Sequence, residues 1–254
     1  MGKKSGIRKP LHLGLIGQDL GYSFSKKYFA RKFESMGLSD HSYNNFEFQN
    51  ETELALFLLD DVFKLNGFNV TIPYKECIIP YLDELHETAI PVNAVNTVKI
   101  INNKLMGYNT DVYGFLQAYK SLFKPTHRKA LILGTGGASK SVAFALESMG
   151  IGVSFVSRNS TIKEVFSYNG LTQNLIDTHQ IIINCTPVGT FPNIKDYPNI
   201  PYQYINASHL VLDLIYNPRE TPFLIKAKAN GALTKNGLQM LEFQADIAWE
   251  IWNS

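Results

Sequence analysis

Lys75 closes the run Asn69-Val70-Thr71-Ile72-Pro73-Tyr74-Lys75, in which an amine and the Thr71 hydroxyl lie just past a strand end. Ala94-Val95-Asn96-Thr97 contributes an amide, and Asn109-Thr110-Asp111 ends a second strand in a carboxylate. Hydride transfer to a ketone needs a proton for the developing alkoxide, and a lysine near a carboxylate can supply one while the carboxylate positions it. Open α/β sheets bind ligands at the carboxyl ends of their strands, so these groups are expected to converge. Spacing alone leaves Lys75 open between proton donor and surface lysine at a helix start. Asp111 can cap a helix as well as take part in chemistry, and Ser23 and Ser25 are ordinary cap residues unless the loop from Gly17 to Phe24 faces the cleft.

A second constellation sits mid-chain. Gly134-Thr135-Gly136-Gly137-Ala138-Ser139 follows the apolar run from Ala130 to Leu133 and opens a helical stretch. Glycines there let the backbone turn tightly and let a pyrophosphate approach the start of the next helix, where unpaired N–H groups and the helix dipole favour negative charge. Val142, Leu146 and Met149 give that helix an apolar stripe, and Gly150 stands at its C-terminal cap. The following strand, Ile151 to Val156, leads into Ser157-Arg158-Asn159. An NAD site usually carries an acid here for the ribose 2′-hydroxyl. An arginine without an acid predicts NADP.

Composition bounds the rest. At 254 residues, 45% apolar and net charge +2, the chain suits one large or two moderate domains and gives no electrostatic reason for nucleic acid or membrane as a partner. No stretch approaches the roughly 20 apolar residues of a membrane span, and no secretory signal is evident, so a cytoplasmic location is expected. Cys77 and Cys185 lack metal or disulfide spacing, and no metal is expected.

The elements that must position these groups alternate strand and helix. Strands are predicted over Leu11–Ile16, Tyr43–Phe48, Gly67–Thr71, Val92–Ile101, Lys104–Tyr108, Ile181–Cys185 and Leu210–Tyr216, with a tight turn at Asn102-Asn103. Helices are predicted after Ser23 or Ser25, over Glu53–Phe63, after Thr110 or Asp111, after Thr221-Pro222, and over Leu238–Trp252. The reading is an α/β architecture with a mostly parallel sheet in each half. In the last helix Gln244 lies in a stripe with Met240, Ile247 and Ile251; a buried amide needs a partner, either backbone or a bound polar ligand.

Ser23-x-Ser25, Asn69-Val70-Thr71-x-Pro73-x-Lys75, Ala94-Val95-Asn96-Thr97, Asn109-Thr110-Asp111, Gly134-x-Gly136-Gly137-Ala138, Asn184-Cys185-Thr186-Pro187-x-Gly189 and Gly237-Leu238-x-Met240-Leu241-x-x-Gln244-Ala245 together resemble, in order and across nearly the whole chain, the shikimate dehydrogenase family. The resemblance implies NADP-dependent reversible reduction of 3-dehydroshikimate to shikimate, on the route to chorismate and the aromatic amino acids. It implies an N-terminal substrate domain (residues 1–111, with the C-terminal helix 237–254 returning to it) and a Rossmann-type doubly wound NADP domain (112–236). It makes Lys75 the acid/base and Asp111 its partner, which also holds a substrate hydroxyl. Ser23, Ser25, Thr71, Asn96, Tyr216 and Gln244 would bind the substrate. Gly134, Thr135, Gly136, Gly137, Ala138, Ser157, Arg158, Asn159, Leu214 and Gly237 would bind the cofactor. The partner is a small molecule, and the chain is expected to be a monomer or homodimer.

Tyr22 stands where many members have His, Lys26 where they have Pro, and Ser157-Arg158-Asn159 replaces the more usual Asn-Arg-Thr. Competing readings are a quinate/shikimate dehydrogenase using NAD or either cofactor, an enzyme like methylenetetrahydrofolate dehydrogenase, and a non-catalytic metabolite sensor. A sensor needs no proton donor, so the pair Lys75 and Asp111 counts against it.

Overall fold

The computed structural model describes residues 9–158 and 165–254, which divide into two compact units. The first comprises the described residues through Ala89, Val95–Tyr108 and Glu250–Ser254; the second comprises Ile90–Ala94 and the described part of Asn109–Trp249.

In the first unit, β1 (His12–Gly17), α1 (Phe24–Ser35), β2 (Ser42–Glu47), α2 (Glu51–Leu59) and β3 (Gly67–Val70) follow the expected alternation, and β4 (Glu84–Leu85), β5 (Thr97–Ile101) and β6 (Lys104–Tyr108) complete the sheet. The strand order is β2-β1-β3-β5-β6-β4. β1 runs parallel to β2 and β3, whereas β5 runs antiparallel to both β3 and β6. Because β6 opposes β5 and β4 runs parallel to β6, five of the six strands share one direction, and the sheet is mostly parallel with β5 alone reversed. Asn102 and Asn103 both take positive φ, the conformation a tight hairpin requires, and that turn forces β6 back along β5. The strand predicted from Val92 begins only at Thr97, because Pro91 and the positive φ of Asn93 bend the preceding residues into turns.

The second unit contains α3 (Asp111–Tyr119), β7 (Lys129–Leu133), α4 (Gly137–Ser148), β8 (Gly152–Ser157), β9 (Val165–Ser167), α5 (Gln173–Thr178), β10 (Ile181–Asn184), β11 (Leu210–Asp213), α6 (Pro222–Ala229), β12 (Leu233–Lys235) and most of α7 (Leu238–Asn253). Its strands are all parallel in the order β12-β11-β10-β7-β8-β9, the doubly wound arrangement of dinucleotide-binding domains. Because helices cover both faces, β7, β10 and β11 read as unbroken apolar runs. Phe115, Val142, Leu146 and Ile183 fill one face; Leu131, Ile176, Ile182 and Phe223 fill the other. Val142 and Leu146 are fully buried, Met149 at the helix end is exposed, and Gly150 takes the left-handed conformation expected of the cap.

The last residues of α7 belong to the first unit, where Trp252 packs with Phe29 of α1 and Tyr43 of β2. Its indole donates to the Val98 carbonyl at 2.9 Å, and the ring lies where Gly67 leaves room for it. A Cβ on Gly67 would overlap the indole and come within 2.7 Å of the Val98 oxygen. Gly67→Ala is expected to lower stability by about 1–3 kcal/mol, the usual range for overpacking a filled site. Urea denaturation checks this. A parental midpoint contradicts the packing.

Candidate active site

In the first unit the residues expected to bind the substrate gather at the carboxyl ends of β1 and β3. Ser23 caps α1, its hydroxyl accepting from the Ser25 amide at 3.2 Å, so the Ser23 proton is left to donate elsewhere. Thr71 follows β3 directly, its amide bonded to the Ile16 carbonyl at 2.9 Å. Tyr74 is buried in the core and anchors the turn, while the next residue, Lys75, is only half-buried. The Lys75 carbonyl accepts from the Val95 amide at 2.7 Å, which ties the lysine turn to the Val95-Asn96 segment. Lys75 thus sits in a turn rather than at the start of a regular helix.

A buried polar network underlies this surface. The Tyr43 phenol donates to Asn69 Oδ1 at 2.7 Å, and Asn69 Nδ2 donates to the Asn96 carbonyl at 3.2 Å and to Thr97 Oγ1 at 3.0 Å. Thr97 Oγ1 donates in turn to Asn96 Oδ1 at 3.4 Å. Tyr43 and Asn96 are thereby joined through the side chain of Asn69. In the sequence Tyr43 has only a place at the start of a strand and Asn69 no role of its own; the signal for Asn69 is an amide inside the otherwise apolar strand Gly67–Val70.

The second unit holds Asp111, nearly buried at the first position of α3, where the helix dipole favours negative charge. Thr110 occupies the capping position without a side-chain cap bond. Asn109 does that work: its Oδ1 accepts from the amides of Asp111 at 3.1 Å and Val112 at 3.3 Å. Its Nδ2 donates to the Ala94 carbonyl at 2.9 Å and to Ser141 Oγ of α4 at 3.0 Å. Gln244 is brought beside this start. Thr110 Oγ1 donates to its Oε1 at 3.4 Å, its Nε2 donates to the Leu241 carbonyl at 2.9 Å, and Gly114 lets α7 approach α3 closely.

The glycine loop has the form the sequence suggests. Gly134 takes a φ of 106° and its amide bonds the Val156 carbonyl at 2.8 Å. Gly136 caps α4 without any side-chain bond, and a Cβ there would meet nothing. The first-turn amides of α4 are therefore open toward a ligand. Ser139 adds a buried hydroxyl with no hydrogen-bond partner among the described residues. Ser157 ends β8, Arg158 is exposed just beyond it, and Asn159 lies outside the described residues. The donors, the open glycine and the exposed guanidinium fit a phosphorylated dinucleotide.

At the ends of β10 and β11, Asp213 organises the segment that carries Leu214, the remaining residue expected at the cofactor, and its neighbour Gly237. Its Oδ1 accepts from Asn184 Nδ2 at 3.0 Å and the Ile215 amide at 3.1 Å, and its Oδ2 from Thr221 Oγ1 at 2.6 Å. Asn184 Oδ1 in turn accepts from Thr186 Oγ1 at 2.6 Å. Gly237 bonds the Ile215 carbonyl at 3.0 Å and lies so close to Leu214 that any side chain there would collide with its backbone, so Leu214 and Gly237 are neighbours. Tyr216 follows, half-buried. Among the described residues no cluster of His, Cys, Asp and Glu could hold a metal ion, and no helix is long and apolar enough to cross a membrane.

Residues 15–98 match the family model described as the shikimate dehydrogenase substrate binding domain. The chain is 38% identical over 258 residues to a shikimate dehydrogenase (NADP(+)) of Methanococcus maripaludis, covering 94% of this chain and 91% of that relative. To a shikimate dehydrogenase (NADP(+)) of Desulforamulus reducens it is 34% identical over 260 residues, covering 94% and 88%. The solved structure of shikimate 5-dehydrogenase from Thermus thermophilus in complex with NADP(H) and shikimate is similar at a TM-score of 0.80 and 31% identity, over 95% of this chain and 93% of that one.

Burial pushes the Asp213 carboxyl up to about 6, against the opposing pull of its bonds from Thr221, Ile215 and Asn184. The folded protein then binds this proton more tightly than the unfolded chain. Stability from the neutral acid is full below the unfolded value of 3.8 and is lost as pH rises through about 6. Asn does not titrate, so the parent's stability relative to Asp213→Asn is expected to fall by on the order of 2–3 kcal/mol between about pH 4 and about pH 7. Denaturant titrations across that window check it. A difference independent of pH contradicts it.

Proposed function

This chain belongs to the shikimate dehydrogenase family, and from that membership we infer that it reversibly reduces 3-dehydroshikimate to shikimate with NADP. The observation that carries the reading is the tie from the open start of α4 through Ser141 and Asn109 to Asp111, which fixes the dinucleotide helix and a reactive carboxylate within one unit. When bound at that helix, NADP supplies the hydride exchange. The protein's own residues manage the proton and the placing of the acid.

Lys75 gives its proton to the substrate oxygen as the ketone becomes an alcohol and takes it back in the reverse direction. Its half-buried position on a turn lets the amine reach substrate and exchange protons with water. Asp111 orients the amine and holds an adjacent hydroxyl. Ser23 and Ser25, at the N-terminal end of α1, receive the substrate carboxylate, which the dipole of that helix favours. Thr71, Asn96, Tyr216 and Gln244 bind the remaining oxygens. Gly134–Ala138 would hold the pyrophosphate, Ser157, Arg158 and Asn159 would meet the 2′-phosphate, and Leu214 and Gly237 would border the nicotinamide end.

By function, residues 1–111 with 237–254 serve the substrate and 112–236 the cofactor, a division that differs from the two compact units, in which Asp111 and the helix up to Trp249 belong to the second. The enzyme works in the cytoplasm as a monomer or homodimer, on the route to chorismate and the aromatic amino acids.

Lys75→Ala removes the proton donor, and kcat is expected to fall by about 10²–10⁴-fold with a far smaller change in the KM for shikimate. Steady-state kinetics at several pH values test this, with NADP binding followed separately by fluorescence. Retention of more than about a tenth of kcat lies outside the acid–base range and overturns the assignment.

A further inference from the structure

Tyr119 ends α3, the helix that begins with Asp111, and its buried ring meets Phe115 edge-on at 5.1 Å. Its hydroxyl donates to the Asn236 carbonyl at 2.7 Å. The direction of that bond is fixed, because a carbonyl only accepts. Burial, and after it the negative charge of Asp213, hold the phenol above the ordinary tyrosine range, so it keeps its proton at working pH.

The bond falls on a peptide group that is held from its other edge as well. The Asn236 carbonyl and the Gly237 amide belong to one planar unit, and that amide donates to the Ile215 carbonyl at 3.0 Å. Two bonds at opposite edges fix the rotation of the plane; with one alone it can swing about the other. Glycine makes this control necessary, since a residue without Cβ resists rotation of its peptide least. A stiffer residue has no room, because a Cβ on Gly237 would overlap the Leu214 carbonyl. The Asn236 side chain is committed elsewhere, its Oδ1 accepting from the Leu238 amide at 3.3 Å and its Nδ2 donating to the Arg219 carbonyl at 3.0 Å. At one end α3 thus carries the Asp111 carboxylate, and at the other the phenol that sets Gly237 against Leu214.

We propose that Tyr119 is a positioning residue for the nicotinamide end of NADP, its phenol locking the Asn236–Gly237 peptide in place beside Leu214. The inference rests on the assignment of Leu214 and Gly237 to that end of the cofactor. It sets Tyr119 apart from Tyr74, whose phenol donates to the carbonyl of Phe48, a residue assigned to no ligand.

The test is calorimetric titration of two ligands, NADP and 2′-phospho-ADP-ribose, which is NADP without its nicotinamide ring, into the parent, Tyr119→Phe and Gly237→Ala. The KM for shikimate is read alongside. Phenylalanine keeps the ring against Phe115 and removes only the donor. Tyr119→Phe is expected to raise the Kd for NADP about three- to tenfold, the effect of one lost hydrogen bond, and to leave the Kd for 2′-phospho-ADP-ribose within about twofold of the parent. Unchanged binding of the ring-free ligand reports an intact cofactor unit. The KM for shikimate is expected to stay within about twofold, because Asp111 at the other end of α3 is not disturbed. Gly237→Ala, which displaces the same border directly, is expected to show the same selective loss of NADP. Parental NADP affinity in Tyr119→Phe beside a selective loss in Gly237→Ala overturns the proposal alone. An equal loss of both ligands in Tyr119→Phe, or a KM for shikimate raised as far as the Kd for NADP, does the same by placing the effect on the fold at large. Equal losses of the two ligands in Gly237→Ala, or no loss of either, overturn both the proposal and the site assignment beneath it.

Discussion

The side chain of Asn109 is the interaction on which most of the second unit's chemistry depends. One amide caps α3 at Asp111, holds the Ala94 carbonyl and bonds Ser141 in α4. A capping serine could satisfy the helix amides, but it could not also donate two bonds to separate segments. The carboxylate and the dinucleotide helix are therefore set by a single planar group, and the buried location makes every one of its bonds costly to leave unmade.

The same physical device recurs where other strands end. Asn69 stands next to last in β3, and Asn184 and Asp213 close β10 and β11; all are buried, Asn69 bonding β2 and the start of β5, and Asn184 and Asp213 bonding each other and the loops that follow them. Strand ends in an open α/β sheet are where the ladder stops and loop amides lose their partners. A buried polar side chain at that point satisfies them and holds the ligand-facing residues rigid. Thr71, Thr186, Leu214 and Tyr216 all follow such a residue within three positions.

Much of this was legible before any coordinates. The glycine loop, the Gly150 cap, the Thr221-Pro222 helix start and the Asn102-Asn103 turn follow from backbone requirements that few residues can meet, and each appears as read. The one reversed strand of the first sheet, β5, was harder. Alternating patterns give strand positions but not directions, and the consequence of the Asn102-Asn103 hairpin for β3 and β5 lies in pairing between distant segments. Tyr43 and Asp213 were invisible for a related reason: in sequence one is an aromatic in a strand and the other an acid at a strand end, and only the fold places their partners beside them. Gln244 stands out in the sequence as an amide in an apolar stripe, and the structure gives it both a backbone partner and Thr110.

A single reaction with a single cofactor is tested directly on the purified protein. Initial rates of nicotinamide reduction with shikimate as the alcohol, compared between NADP and NAD and between shikimate and quinate, measure the whole claim at once. The exposed Arg158 beyond β8, with no acid at the strand end, predicts that kcat/KM for NADP exceeds that for NAD by at least about tenfold, the minimum for one charge-assisted contact to the 2′-phosphate. Turnover with shikimate at that preference agrees with the account. Binding of shikimate without reduction of either cofactor, or equal use of NAD, contradicts it.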